Sequence, residues 1–421
     1  MAHNTLIIDS GARGHALYET IVRSPLVDTV ICAPGNAGIP QKHCRPIDIH
    51  DVHGLLRLVV DEKINFVVVG PEASLMLGIV DNLQKIGVRV FGPTREAAQL
   101  EGSKIFTKRM CGHLSIPIAS WTWADTFDEA ALAIRTWDSP PIIKADGLCE
   151  GKGVVVSKTI EEALSAAHAM LVDNIHGAAG SRIVIEDRLL GVECSLTAIC
   201  DGINALLLPM ARDYKRVFEG NQGPNTGGMG SYSPLPDIRD ELAEDMRVRI
   251  VLPILKRMHE LGAPFHGIMY VGLMMTDHGP HVIEINVRLG DPEAQVILPR
   301  VADDLMPIFL LSAETNGLHG LPPLRIRDDA AVCTVLASGG YPDHYEVGFP
   351  ITGIEAAQKK TLVLHACTKR EGKQILTAGG RVMSCIGLAP TLAQAREESL
   401  AAARRIIFEG KHFRTDIAEN V

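Results

Sequence analysis

The sequence has little that would take it out of a reducing, aqueous compartment. Nine cysteines occur, an odd number, and no C-x-x-C pair is among them. Scattered single cysteines in a chain of 421 residues read as free or buried thiols, which excludes a disulfide framework and a thiolate metal site. No apolar run approaches the roughly 20 residues of a membrane span. The opening, Met1 to Asp9, has no basic segment followed by a long apolar stretch, so no secretory leader is expected. Positive charge is short as well. The net charge of −9 removes any general attraction to nucleic acid or anionic lipid. An acidic protein that handles phosphates must then concentrate its lysines and arginines locally. The expected setting is the cytoplasm, with small molecules as partners, no nucleic acid and no membrane.

What is present is the composition of a globular chain, 46% hydrophobic and 22% charged. Its length suits two to four packed units, with no low-complexity segment and no internal repeat. The first hundred residues alternate strand and helix signals. Apolar runs at Thr5–Ile8, Val27–Ala33, Ile64–Val69 and Val88–Phe91 are separated by helical periodicity at Val52–Val60 and Leu75–Ile86. Strands this apolar on both faces belong in a parallel sheet covered by helices. They end in Gly or Pro loops, where α/β sheets place ligands. Beyond Glu101, Lys104 opens a helix-like stretch ending at Ile116-Pro117. Pro140–Val156 reads as two strands around a glycine loop, and Ile183–Glu186 and Glu193–Cys200 read as strands. Arg212–Ser233 is a polar, Gly-rich stretch. Pro236–Leu261 reads as one long amphipathic helix, and Gly267–Met275 with His281–Val287 as an antiparallel pair turning at Asp277-His278-Gly279. The last hundred residues mix short strands with Gly-Gly turns and the helix Leu392–Phe408.

Four motifs carry chemistry. In the first, a β run delivers Lys144, then Gly147, Gly151 and Gly153 surround Lys152. Such glycines let backbone N–H groups face phosphate oxygens, and each lysine adds a point charge. The G-K-[ST] helix opening of a Walker A loop is missing. An ordinary glycine hairpin with surface lysines would share the spacing. The second is Val282 to Arg288, where Ile283, Ile285 and Val287 alternate with Glu284, Asn286 and Arg288. Carboxylate and amide oxygens two residues apart on one strand face suit Mg²⁺. A half-exposed strand with a polar outer face alternates in the same way, but the continuation to Asp291 and Glu293 adds two acids in a tight turn beside the arginine. The third is Asp213-Tyr214-Lys215-Arg216 followed by Gly223 to Gly230, including Asn225, Thr226, Gly227 and Gly228, which suits a phosphate or sugar phosphate. A long solvated loop is the plainer alternative. The fourth is the turn Asp9 to Leu17, with Gly11, Arg13 and His15 at a helix start that favours an anion. As a dinucleotide fingerprint it fails, because Asp9 and Ala12 stand where glycines belong. Pro34–Gly38, with Asn36, and Gly70–Glu72 lie at neighbouring strand ends and are expected to build the same pocket.

With these motifs in this order, the chain resembles the phosphoribosylamine–glycine ligase (glycinamide ribonucleotide synthetase) family of the ATP-grasp superfamily. The resemblance runs over roughly residues 5–418, through PGNAG at 34–38, FGPTREAAQLEGSK at 91–104, IIKADGLCEGKGVVV at 142–156, DYKR at 213–216, GPNTGGMGSYSP at 223–234, VIEINVRLGDPEAQ at 282–295 and GGRVMSCIG at 379–387. GPNTGGMG and RLGDPE are the most specific. The resemblance implies an α/β protein in three parts: an N-terminal parallel α/β domain over 1–101, an ATP-grasp module over 102–326 with a small lid at about 122–190, and a C-terminal mixed α+β domain over 327–421. It implies that Lys104, Lys144 and Lys152 contact nucleotide phosphates, and that Glu186 to Leu189 form the adenine hinge through backbone groups of Asp187 and Leu189. Glu193 would take the ribose, and Glu284 and Asn286 would hold Mg²⁺ or Mn²⁺. Asp213, Arg288 and Asp291 are implied for glycine. Lys215, Asn225, Thr226, Gly227 and Gly228, with Gly11, Arg13, Asn36 and Glu72, are implied for 5-phosphoribosylamine. The implied reaction belongs to de novo purine biosynthesis. Glycine and ATP give glycyl phosphate, which the amine then attacks. A monomer or weak dimer is expected. Glu150 puts a negative charge in the glycine loop and is predicted to face solvent. The rivals are another ATP-grasp ligase making an acyl or carboxy phosphate, and a nucleotide-binding homologue without catalysis. An NAD-dependent oxidoreductase lacks its fingerprint.

Overall fold

The structure is a computed structural model that describes residues 2–149, 152–419 and 421. Four parallel strands open the chain: β1 (His3–Asp9), β2 (Val27–Pro34), β3 (Phe66–Val69) and β4 (Arg89–Phe91), in the order β2-β1-β3-β4. β3 is buried along its whole length, as expected for a parallel sheet under helices. The expected helix Leu75–Ile86 is two helices, Glu72–Met76 and Ile79–Lys85. Gly78 separates them in the left-handed region (φ +76), which stops the first and redirects the chain.

A small antiparallel sheet follows, with β5 (Trp121–Ala124), β6 (Ile142–Ala145), β7 (Val154–Val156) and β8 (Ile183–Glu186) in the order β5-β8-β6-β7. Helices Phe127–Arg135 and Ile160–Leu171 cover one face, and Thr126 with Glu129 forms a capping box on the first. Ile143, Ile183 and Ile185 meet Ala130, Ile134, Ala163 and Met170 in a core separate from the rest of the molecule.

The central sheet is antiparallel, β10-β9-β15-β16, built from β9 (Val192–Asp201) and β10 (Ala205–Leu207), and from β15 and β16 further on. Between them, Arg212–Ser233 is not one loop but four short strands: β11 (Arg212–Asp213), β12 (Arg216–Phe218), β13 (Gln222–Asn225) and β14 (Gly230–Ser233). Then come β15 (His266–Thr276) and β16 (Gly279–Asn286). Leu196 and Val271 of this sheet share one core with Val69 and Leu75 of the first, so those two units pack as one body.

The last sheet contains β17 (Ala330–Ala337), β18 (Leu362–His365) and β21 (Arg381–Ala389), with the hairpin β19 (Thr368–Glu371) and β20 (Gln374–Thr377) beside it. Its order is β11-β14-β17-β21-β18, so two strands from the 212–233 stretch join it. Gly230 stands opposite Thr334, a partner too far along the chain for local periodicity to reveal. The expected single helix Pro236–Leu261 starts only at Asp240 and passes through a π-helical turn, Arg247–Val251, before Leu252–Glu260. Pro253 has no N–H to give the preceding turn, and the wider turn lies just ahead of it.

Candidate active site

The lid sheet and the central sheet face each other across a cleft, and each carries one half of a charged site. Lys104 starts the helix Lys104–His113, capped by Ser103, which accepts the Phe106 N–H. Its Nζ donates to the Gly147 carbonyl at 3.1 Å, and burial lowers its pKa, partly offset by Glu284. The Asp146 carboxylate accepts the Ile105 N–H at 2.8 Å and the Ser103 hydroxyl at 2.9 Å, and its carbonyl accepts the Lys104 N–H. The root of the glycine loop is therefore bound to the start of this helix. Gly147 sits so close to the turn Gly177–Gly180 that a Cβ there would meet the Ala179 Cα at 2.8 Å. Gly153 is buried and its carbonyl accepts the Ala145 N–H, while Lys152 is exposed. Gly151 and Glu150 lie outside the described residues.

Lys144 projects from β6 and meets Glu186 Oε1 at 2.5 Å. Lys108, one turn after Lys104, pairs with the other oxygen of the same carboxylate. Burial pushes the Glu186 carboxyl up, and the two lysines more than reverse it, so it titrates below the ordinary range. Glu186 is thus a structural counter-ion for two cations, in addition to ending the hinge strand. Asp187 spends its N–H on the Ser120 carbonyl at 2.9 Å and its carboxylate on the Trp137 indole at 2.5 Å. Leu189 is half-buried on the same segment.

On the opposite wall, Glu284 and Asn286 lie on β16. The alternation expected there is interrupted. The register slips between Gly272 and Leu273, leaving Ile283 as an extra residue that is only half-buried, unlike Ile285 and Val287. Gly272 is opposite Glu284, and a Cβ there would meet the Glu284 Cγ at 2.9 Å, so the glycine leaves the space that the carboxylate occupies. Burial raises Glu284, but Lys215, Lys144, Arg288 and Lys104 together hold it below the ordinary range. Lys215 bridges Glu193 (2.8 Å) and Glu284 (4.0 Å). Burial opposes its charge, yet Asp213, Glu193 and Glu284 hold its pKa well above normal. Asp213 is pushed up to about 7 by burial, against the pull of Lys215 and with a further push from Glu293.

Arg288 is held from three sides. Its Nε donates to Glu72 at 3.0 Å, and its Nη2 to Glu101 at 2.9 Å and to the Asn286 amide oxygen at 3.4 Å. Glu101 also accepts the Val287 N–H at 2.8 Å. Asp291 accepts from Gln295 at 2.6 Å and lies 3.5 Å from Arg381. A Cβ on Gly11 would stand 3.4 Å from Asp291 Oδ2, so the N-terminal turn does reach this carboxylate. Arg13, however, is buried and committed to Asp9 (2.9 Å) and the Leu289 carbonyl (3.2 Å). Asn36 spends its amide on the carbonyls of His365, Ser10 and Gly11. These bonds brace the strand-end loops of the N-terminal sheet. Thr226 donates twice to the Lys215 carbonyl, which holds Asn225 and Thr226 against the lysine. The Gly228 N–H donates to the Thr226 hydroxyl at 2.9 Å.

Among the described residues no group of three His, Cys, Asp or Glu side chains could hold a metal alone. Glu284 and Asn286 offer two hard oxygens, the donor set of a Mg²⁺ ion that takes its remaining ligands from phosphates and water. Sequence reasoning missed Lys108, Glu101, Arg381 and Tyr270, whose phenol donates to Glu293 at 2.9 Å. Lys108 was within reach, since it repeats Lys104 at one helical turn. The others depend on partners distant in sequence.

The class follows from this arrangement. Two facing sheets that grip a charged cleft are the ATP-grasp fold, and the biotin carboxylase domain of Hydrogenobacter thermophilus 2-oxoglutarate carboxylase shares the fold at TM-score 0.74 and 14% identity, with 98% of this chain and 92% of that one aligned. The chain belongs to the phosphoribosylglycinamide synthetase family. The profile of the family's N domain matches residues 3–101, that of its ATP-grasp (A) domain residues 102–294 and that of its C domain residues 331–420. The phosphoribosylamine–glycine ligases of Mesorhizobium japonicum and Salmonella typhi are each 42% identical, over 98% of this chain and 97% of theirs. The crystal structure of the Thermotoga maritima phosphoribosylamine–glycine ligase superposes with TM-score 0.85 at 32% identity, covering 99% of this chain and all of that one. Among the described residues no helix is long and apolar enough to cross a membrane.

Proposed function

We propose that this chain is a phosphoribosylamine–glycine ligase of purine biosynthesis, working in the cytoplasm as a monomer or weak dimer. Its substrates are ATP, glycine and 5-phosphoribosylamine. The chain divides into 1–101, 102–326 with a lid at about 122–190, and 327–421. A glycine carboxylate oxygen attacks the γ-phosphorus of ATP and ADP leaves. The amine of phosphoribosylamine then attacks the glycyl carbonyl carbon, the carbon–oxygen bond to phosphate breaks, and the nitrogen loses a proton. Lys104, Lys144 and Lys152 neutralise the triphosphate, which is the main demand of phosphoryl transfer. Glu193 takes the ribose hydroxyls once Lys215 turns to a phosphate. Glu284 and Asn286 would hold Mg²⁺ or Mn²⁺, which supplies charge neutralisation between phosphate oxygens. Arg288 and Asp291 orient glycine. Asp213, raised to about 7, suits the glycine ammonium or the released proton.

The observation that carries this reading is Glu284, 4.0 Å from Lys215 and held below the ordinary carboxylate range by Lys215, Lys144, Arg288 and Lys104 together. The test is ADP formation with glycine and freshly generated phosphoribosylamine. Glu284→Ala is expected to lose at least about 100-fold in kcat, the scale of removing one charge-stabilising group. A variant with full activity refutes the metal assignment. Turnover with formate or bicarbonate in place of glycine would move the chain to another ATP-grasp reaction.

A further inference from the structure

We infer that Arg381, with Tyr341, is a positioning residue through which the C-terminal sheet shapes the phosphoribosylamine subsite. The inference rests on the function proposed above. Arg381 is the first residue of β21 and reaches out of its own sheet. Its Nη1 donates to the Gly227 carbonyl at 2.7 Å and to the Asp291 carbonyl at 2.5 Å, and lies 3.5 Å from the Asp291 carboxylate. The Tyr341 hydroxyl accepts the Gly227 N–H at 3.0 Å. Both backbone polar groups of Gly227 are therefore engaged by C-terminal side chains. That residue cannot offer its amide to a substrate while these bonds persist, so its role is to be held.

Three features show that the contact is built. A Cβ at Gly227 would lie 2.9 Å from the Arg381 Cζ, so the guanidinium rests directly against this glycine and would have to shift for any larger residue. Gly228 takes φ +113 and packs on the Pro292 ring, which closes the 223–230 loop onto the Asp291 turn. Burial disfavours the Arg381 charge, but Asp291 leads the groups that hold it, followed by Tyr341, Cys367 and Glu293. No nucleotide-side lysine or glutamate is among them. The guanidinium thus links two substrate-facing segments, 154 and 90 residues away in the chain, and leaves the nucleotide half untouched. Both carbonyls and the carboxylate edge gather around one guanidinium nitrogen, Nη1, and a lysine, with a shorter and more strongly hydrated head, would reach that point less well.

The test compares wild type with Arg381→Met, Arg381→Lys and Tyr341→Phe. Removing a charged donor from buried acceptors costs about tenfold or more. Arg381→Met should raise KM for phosphoribosylamine by about that factor, with ATP affinity within about twofold of wild type. Arg381→Lys should fall between, and Tyr341→Phe should raise the same KM by a few-fold. Amide hydrogen exchange across residues 223–230 should quicken in Arg381→Met and leave residues 142–149 unchanged. A general structural defect would instead weaken ATP binding and quicken exchange everywhere. Unchanged exchange in the loop, or an unchanged KM for phosphoribosylamine, overturns the inference. Absence of turnover in wild type would sink the proposed reaction, while loop exchange would still decide the positioning role. If Arg381→Met does not fold, Tyr341→Phe decides on the same two readouts.

Discussion

Two buried charge knots in this molecule mirror each other. In the lid, one carboxylate, Glu186, sits between two cations, Lys144 and Lys108. At the junction of the N-terminal and central sheets, one cation, Arg288, sits between two carboxylates, Glu72 and Glu101. The first knot carries a surplus positive charge and the second a surplus negative one. In the first, Glu186 would stay neutralised by Lys108 if Lys144 turned to another anion. The second has no spare cation. Its two acids respond differently to burial. Arg288 and Arg13 outweigh burial for Glu72 and hold it down at about 2, whereas burial prevails for Glu101, which is pushed up to about 7. The difference separates a knot with a cation to spare from one that ties two sheets together.

The largest effect expected is at the second knot. Arg288→Met leaves Glu72 and Glu101 without the cation between them, and breaking such a buried pair costs roughly 3–5 kcal/mol. The urea midpoint should fall accordingly, and part of the loss should return on acidification, when the orphaned carboxylates take up protons. A midpoint that stays low in acid would contradict the account. Next comes the lysine pair. Lys108→Met and Lys144→Met should each be tolerated, while the double variant leaves Glu186 bare and should be less stable than the sum by roughly 1–3 kcal/mol in a double-mutant cycle. Additivity would mean that Glu186 is not shared. Lys144→Met alone should also weaken ATP binding. The smallest effect is at Glu101. A carboxyl whose folded pKa is raised from 4.5 to about 7 contributes stability that is fully present below 4.5 and lost as pH rises through 7. Glu101→Gln should flatten that part of the stability profile. An unaltered slope would show that the proton resides elsewhere.

What could be read from the chain alone divides along the same line. The parallel N-terminal sheet, the strands flanking the glycine loop and the placing of Lys144, Glu284 and Asn286 followed from local pattern, because burial on one or both faces repeats every second residue. The bulge at Ile283 did not follow, since it depends on the facing Gly272. Nor did the strands in 212–233, whose partner is β17. Each knot also hides half of itself. Lys108 sits one turn from a lysine already singled out, but Glu101 is 187 residues from Arg288. Arg13 and Asn36 were read as substrate donors because of their loops, and the structure adds partners for them that the sequence did not show: Asp9 and the Leu289 carbonyl for Arg13, the His365 carbonyl for Asn36. Residue type and loop position indicate capacity for a bond, not the partner that claims it.

The carboxylate of Asp146 has a mechanical meaning. One end of it belongs to the root of the glycine loop, the other is clamped on the first turn of the helix bearing Lys104 and Lys108. The glycine loop and that helix are therefore tied at one carboxylate, and the helix in turn packs through Met110 and Cys111 on the main core. A single acid thus moors the loop's root to the helix that carries Lys104 and Lys108.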